Sequence, residues 1–121
     1  MFYFSVSLRI FSDVLSLAEI KEISGEPTSG YSKGDLWRNG KTRKATLWMY
    51  APEEKMSDIN EIIGLVIRRY TMALESGLDV SKCKVNINCS CTTDNGQGGI
   101  DLEASTISLL AKYNLSIGFM L

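Results

Sequence analysis

The run Lys82-Cys83-Lys84-Val85-Asn86-Ile87-Asn88-Cys89-Ser90-Cys91-Thr92 decides the fold. Cys83, Val85, Ile87, Cys89 and Cys91 share one side; Lys82, Lys84, Asn86, Asn88 and Ser90 share the other. A sustained period of two is a half-buried strand. One apolar face and one polar face belong to a sheet covered on one side only. Residues 2–11 alternate in the same way, with Phe2, Phe4, Val6, Leu8 and Ile10 against Tyr3, Ser5, Ser7, Arg9 and Phe11. Residues 44–50 form a shorter strand, with Ala45, Leu47 and Met49 facing one way and Thr46, Trp48 and Tyr50 the other. Pro52 ends it. A last strand, 115–121, puts Leu115, Ile117, Phe119 and Leu121 together.

Helices fall between these strands. Ser16 with Glu19 is a capping box, Leu17, Ile20 and Ile23 form a stripe, and Gly25 is a stop, which predicts a helix over 17–24. Asp58 with Glu61 opens a second helix over 58–76. Its stripe is Ile59, Ile62, Ile63, Val66, Tyr70, Ala73 and Leu74, and Gly77 stops it. Arg68 and Arg69 are adjacent, so at most one lies near the edge of that stripe. A third helix over 104–112 carries Ile107, Leu110 and Ala111, with Asn114 as a left-handed end. Residues 26–43 read as a long loop, with Asn39-Gly40 as a hairpin tip between Leu36-Trp37 and the stretch from Lys44. The expected fold is α+β: a two-layer sandwich of four main strands with three helices mainly on one face. Residues 1–121 make a single domain.

Composition narrows the chemistry. The 121 residues hold 13 Lys plus Arg against 14 Asp plus Glu, a net charge of −1. Attraction to nucleic acid through net charge is not expected. Histidine is absent. That excludes Ser-His-Asp and Cys-His nucleophilic sites and histidine metal ligands. Cys83, Cys89 and Cys91 lack the C-x-x-C spacing and read as reduced core thiols. The N-terminal run Met1-Phe2-Tyr3-Phe4-Ser5-Val6 has no basic leader and is broken by Arg9 and Asp13, so a signal peptide is not expected. No apolar stretch is long enough for a transmembrane helix. A cytoplasmic location is expected.

Three regions remain for function. The loop Lys33–Lys44 holds five basic residues with Trp37 and two glycines. Such a loop suits a phosphate or an acidic partner. It lacks the Walker A spacing, and its bland reading is a solvated hairpin guarding an edge strand. The open sheet face is expected to present Tyr3, Ser5, Arg9, Thr46, Trp48, Tyr50, Lys84, Asn86, Asn88 and Ser90. Aromatics and cations there suit single-stranded bases or a protein interface. The stretch Asp94–Gly99, with Asp101 and Glu103, misses the EF-hand spacing and reads as a turn. The residues expected to touch a partner are Tyr31, Lys33, Asp35, Trp37, Arg38, Lys41, Arg43, Trp48, Tyr50, Lys84 and Asn86. No catalytic set, metal site or cofactor is expected.

Two segments carry a resemblance. One joins Ser7-Leu8-Arg9-Ile10-Phe11-Ser12-Asp13, Gly25-Glu26-Pro27-Thr28 and Tyr31-Ser32-Lys33-Gly34-Asp35. The other joins Asp94-Asn95-Gly96-Gln97-Gly98-Gly99-Ile100-Asp101-Leu102 and Leu109-Leu110-Ala111-Lys112-Tyr113-Asn114-Leu115-Ser116-Ile117. Together they resemble the bacterial domain of unknown function 4279 family over nearly the whole chain. In that family a Ser-Pro-Glu cap usually opens the last helix; here the positions read Glu103-Ala104-Ser105. The resemblance implies a bacterial, cytosolic, stand-alone domain and brings no activity. It implies that Pro27, Thr28, Lys33, Gly34, Asp35, Asn95, Gly98 and Gly99 belong to a shared feature.

The leading expectation is a small protein-binding module, not an enzyme, and in its narrower form an immunity protein that neutralises a toxin. The alternative is a binder of single-stranded RNA or a nucleotide, using the open face and the basic loop. No membrane partner is expected. Strand order and oligomeric state stay open at this point.

Overall fold

The computed structural model describes residues 2–52, 58–93 and 100–120, with backbone alone at 2, 3 and 93. The expected Asp94–Gly99 turn lies outside the described residues. The elements run β1 (Phe2–Ser12), α1 (Leu17–Ser24), β2 (Ser29–Tyr31), β3 (Thr46–Tyr50), α2 (Ile59–Glu75), β4 (Lys84–Thr93), α3 (Ala104–Lys112) and β5 (Ser116–Met120). A short 3-10 turn occupies Val80–Lys82. The class is α+β, with all three expected helices. The sheet has five strands rather than four, in the order β2-β3-β1-β4-β5. The added strand, β2, comes from the expected loop. Three residues are too few for a period to show; pairing with Leu47–Met49 of β3 defines it. Gly30 in β2 is a close approach: a Cβ there would lie 2.5 Å from the Leu47 carbonyl oxygen.

All pairings are antiparallel except β4 with β5, which is parallel and joined by α3 as a crossover. Inward along β1 point Phe4, Val6, Leu8 and Ile10, all buried. α2 packs on β1, α1 on β3, and α3 beside α2. Ile62, Ile63 and Val66 of α2, Ile20 of α1 and Ile87 of β4 complete the centre of the core.

Register corrects one expectation. Residues directly opposite across a pair share a face. Trp48 faces Ile10, and Thr46 faces Ser12. Thr46, Trp48 and Tyr50 therefore point inward under the helices, not onto the open face, and Trp48 is 0% exposed. Ala45, Leu47 and Met49 take the outer side. Both sides of this short strand carry large residues, so its alternation does not say which side is inner. Its partner β1 decides. The outer placement of Lys84, Asn86, Asn88 and Ser90 on β4 follows from Arg9 facing Asn86 and Phe11 facing Lys84.

The helix ends follow their local chemistry. Ser16 and Glu19 make a reciprocal capping box at α1. Asp58 caps α2 by accepting from the Asn60 N–H at 2.9 Å, and Asn114 ends α3 at φ 52°. The apolar stripe expected on α3 is only partly realised. Leu110 is buried and Ile107 is exposed. Thr106 is drawn inward instead, its hydroxyl donating to Asn60 Oδ1 of α2 at 2.7 Å.

Candidate protein-docking face

The Lys33–Lys44 loop is an ordered hairpin, and its backbone explains why. Asn39 (φ 56°) and Gly40 (φ 73°) both take left-handed conformations at the tip. That is what a tight two-residue hairpin turn demands, and Asn-Gly accepts it at little cost. The Lys41 N–H donates to the Arg38 carbonyl at 3.1 Å and the Trp37 N–H to the Lys41 carbonyl at 2.6 Å. Leu36 bridges Thr42, and the Arg43 N–H donates to the Asp35 carbonyl at 2.8 Å. The second arm therefore starts at Lys41, earlier than the spacing suggests.

The base of the hairpin is tied down by the residues expected to form a shared feature. The Ser32 N–H donates to Asp35 Oδ2 at 2.8 Å. The Lys33 N–H donates to the Thr46 hydroxyl at 3.0 Å, and Lys33 Nζ to the Asp13 carbonyl at 3.2 Å. Thr28 clamps β2 to the end of β3: its N–H donates to the Met49 carbonyl and its hydroxyl to the Ala51 carbonyl. Thr28, Lys33 and Asp35 thus do architectural work at the root of the hairpin.

Above that root sits a stack of side chains. The Arg43 guanidinium lies over two rings, 3.9 Å from the Tyr31 centroid and 4.4 Å from the Trp37 centroid. Arg43 and Tyr31 are half-buried, while Trp37 stays 48% exposed. The stack stands beside the outer sheet face, where Tyr31, Leu47, Phe11 and Lys84 align in one row across four strands. Between hairpin and sheet runs a groove of about 760 Å³, lined by Phe11, Tyr31, Trp37, Arg43 and their neighbours. A second hollow of about 570 Å³ adjoins it through Phe11 and Ala45 and extends to Lys82 and Lys84.

Of the expected contact residues, Tyr31, Trp37, Lys41 and Arg43 come together on this groove. Arg38 lies at the exposed tip. Lys84 stands on the same outer row as Phe11. Asn86 is engaged, accepting from Arg9 Nε at 2.9 Å. Trp48 and Tyr50 are not on this face. Their rings stack on the inner side with centroids 6.5 Å apart, and the Trp48 indole N–H donates to the Gly25 carbonyl at 2.9 Å. Arg69 lies over both rings and donates to the Ser24 and Glu26 carbonyls. Arg69 is thus the one arginine of its pair at the edge of the α2 stripe. The outer placement of Leu47 and Met49 was hidden in the sequence because apolar residues default to the core, whereas the alternation of β1 already set Phe11 on that side.

Two of the three thiols are held in the protonated form. Cys89 is buried, and Cys83 and Cys91 pack against the core. Burial first, then the neighbouring Cys91, pushes the Cys89 thiol up to about 12. Burial also raises Cys83. Both shifts hold the thiol protonated, the inert form. Among the described residues no cluster of three or more metal-ligating side chains forms, and no helix is long and apolar enough to cross a membrane.

The domain of unknown function family DUF4279 matches residues 2–121. The chain belongs to that family. The match takes in the hairpin, its root and the sheet that carries the groove. No curated protein and no solved structure matches the chain.

Proposed function

We propose that this DUF4279 protein is a binding module that docks a protein partner on the hairpin and the adjoining outer sheet face. The observation that supports it most is the Tyr31-Arg43-Trp37 stack. It is a rigid aromatic-arginine cluster, with Trp37 48% exposed, held beside an apolar groove. Trp, Tyr and Arg in a pre-formed pocket are the residues that carry most interface energy. A hairpin pinned by its own backbone loses little freedom on binding. The alternative, a binder of single-stranded RNA or a nucleotide, drew on Trp48, Tyr50, Lys84 and the basic loop, and of these Trp48 lies in the core. The weight therefore moves to protein.

The narrower reading is an immunity protein that covers and neutralises a toxin. Its support is the small single domain and the compact docking face. The test uses tagged wild type and Trp37→Ala as baits in native lysate, each with and without nuclease. A stoichiometric protein that survives nuclease and is lost with Trp37→Ala is the expected result. A partner set removed by nuclease, or held equally by both baits, overturns the docking face. For the narrower reading, the captured protein should arrest growth when expressed alone, and co-expression should relieve it.

A further inference from the structure

Arginine stacking recurs in this molecule, with one difference. Arg9 lies over Phe11 and donates its Nε to Asn86. Arg69 lies over Trp48 and Tyr50 and donates to two backbone carbonyls. Arg43 packs over Tyr31 and Trp37, yet among the described residues no hydrogen bond or ion pair reaches its guanidinium. Only its backbone N–H and carbonyl are used. The five N–H groups of a guanidinium point outward in its plane. Contact with the Tyr31 and Trp37 rings restrains that plane, and Arg43 is only half-buried. The molecule thus holds a half-buried, pre-oriented donor fork with its hydrogen bonds unspent.

The surroundings say what fits. Lys41 and Lys44 line the same groove, and Phe11 and Ala45 give it apolar wall. No carboxylate lines it. Asp35, the one acid within residues 33–44, is turned to the Ser32 N–H. A planar fork matches an oxyanion through two parallel hydrogen bonds. Binding of single-stranded nucleic acid uses open ring faces. Here a guanidinium already lies over a face of Phe11, Tyr31 and Trp37.

We propose that Arg43 is the anchor for a carboxylate of an acidic protein segment, with an apolar residue of that segment seated against Phe11. The proposal rests on the docking reading above and names the partner's chemistry. It makes Arg43 a reader of shape as well as charge, so lysine does not replace it.

The test titrates the whole protein with three probes, followed by Trp37 emission and by calorimetry. They are a short peptide alternating glutamate and leucine, its glutamine counterpart, and a short single-stranded oligouridine. The glutamate peptide is expected to bind saturably, with the other two weaker by about tenfold or more. Arg43→Lys should weaken the glutamate peptide by about tenfold. Arg68→Ala, which removes an exposed charge on α2 away from the hairpin and groove, should change it by less than about threefold. The peptide pair on wild type needs no variant, so a misfolded Arg43→Lys does not blur the result. Equal binding of the glutamine peptide, tighter binding of oligouridine, full affinity in Arg43→Lys, or equal losses in the two variants overturns the proposal. If the glutamate peptide fails while Trp37→Ala still loses the native partner, the carboxylate anchor falls and the docking face stands. If the peptide binds through Arg43 while Trp37→Ala keeps the partner, the docking face falls and the anion site stands.

Discussion

Trp37 keeps 48% of its surface open beside Arg43, whereas Trp48 is wholly covered and spends its indole N–H on the Gly25 carbonyl. Removing each should therefore damage a different property. Trp48→Ala empties a large core site and leaves the half-buried Gly25 carbonyl short of its donor. The cavity alone should cost about 3–5 kcal/mol in urea unfolding, a large share of a marginal total. Trp37→Ala removes only a stacking partner of Arg43 and should cost about 1 kcal/mol or less. Equal losses would mean that the two rings are not placed as described. From sequence both were expected to touch a partner, Trp37 from the loop and Trp48 from the open face of a strand. What separates them is a cross-strand partner, Ile10 opposite Trp48, and that partner lies far away in the chain.

Among the elements, α3 depends on its neighbour. Its N-cap residue Glu103 makes no side-chain cap. Asn60 of α2 supplies one, accepting from the Glu103 N–H at 2.9 Å and the Thr106 hydroxyl at 2.7 Å, and donating to the Asp101 carbonyl at 3.0 Å. Asn60→Ala should cost about 1–3 kcal/mol. Amide exchange at residues 104–107 should rise well before exchange in α2. Uniform exchange across both helices would remove Asn60 as the local tie. This tie was not visible in the sequence, where Asn60 reads as an ordinary first-turn residue. By contrast the capping box of α1, the Asn-Gly tip and the alternation of β1 and β4 were readable, because neighbours in the chain determine each of them. The hairpin half of the candidate site was readable for the same reason. Its sheet half was readable on β4, where Lys84 and Asn86 face outward as expected, but not on β3, whose facing depends on β1.

For the molecule as a whole, buried thiols set an alkaline limit. Cys89 ionises near 12 in the fold, raised by burial and then by Cys91; an unfolded thiol ionises near about 8.5. The stability tied to keeping it neutral is whole below that unfolded value. It is lost as pH climbs through the gap toward the folded value. Cys83 and Tyr70, both raised chiefly by burial, add to the same trend. The urea midpoint should fall between about pH 7.5 and about pH 10, and should fall less steeply in Cys89→Ala. Parallel declines in the two proteins would assign the effect elsewhere. The strand order carries a last consequence, one of timing. β1 lies at the centre of the sheet between β3 and β4, yet it leaves the ribosome before either. Its apolar face waits for one neighbour that ends at Tyr50 and another that ends at Thr93. Contacts this far apart in the chain make folding slow. Until β4 emerges, β1 keeps an open edge that can pair with other chains. A nascent chain cut short before β4 would therefore be sticky rather than half-folded, and the burden of keeping it apart falls on the cell's chaperones.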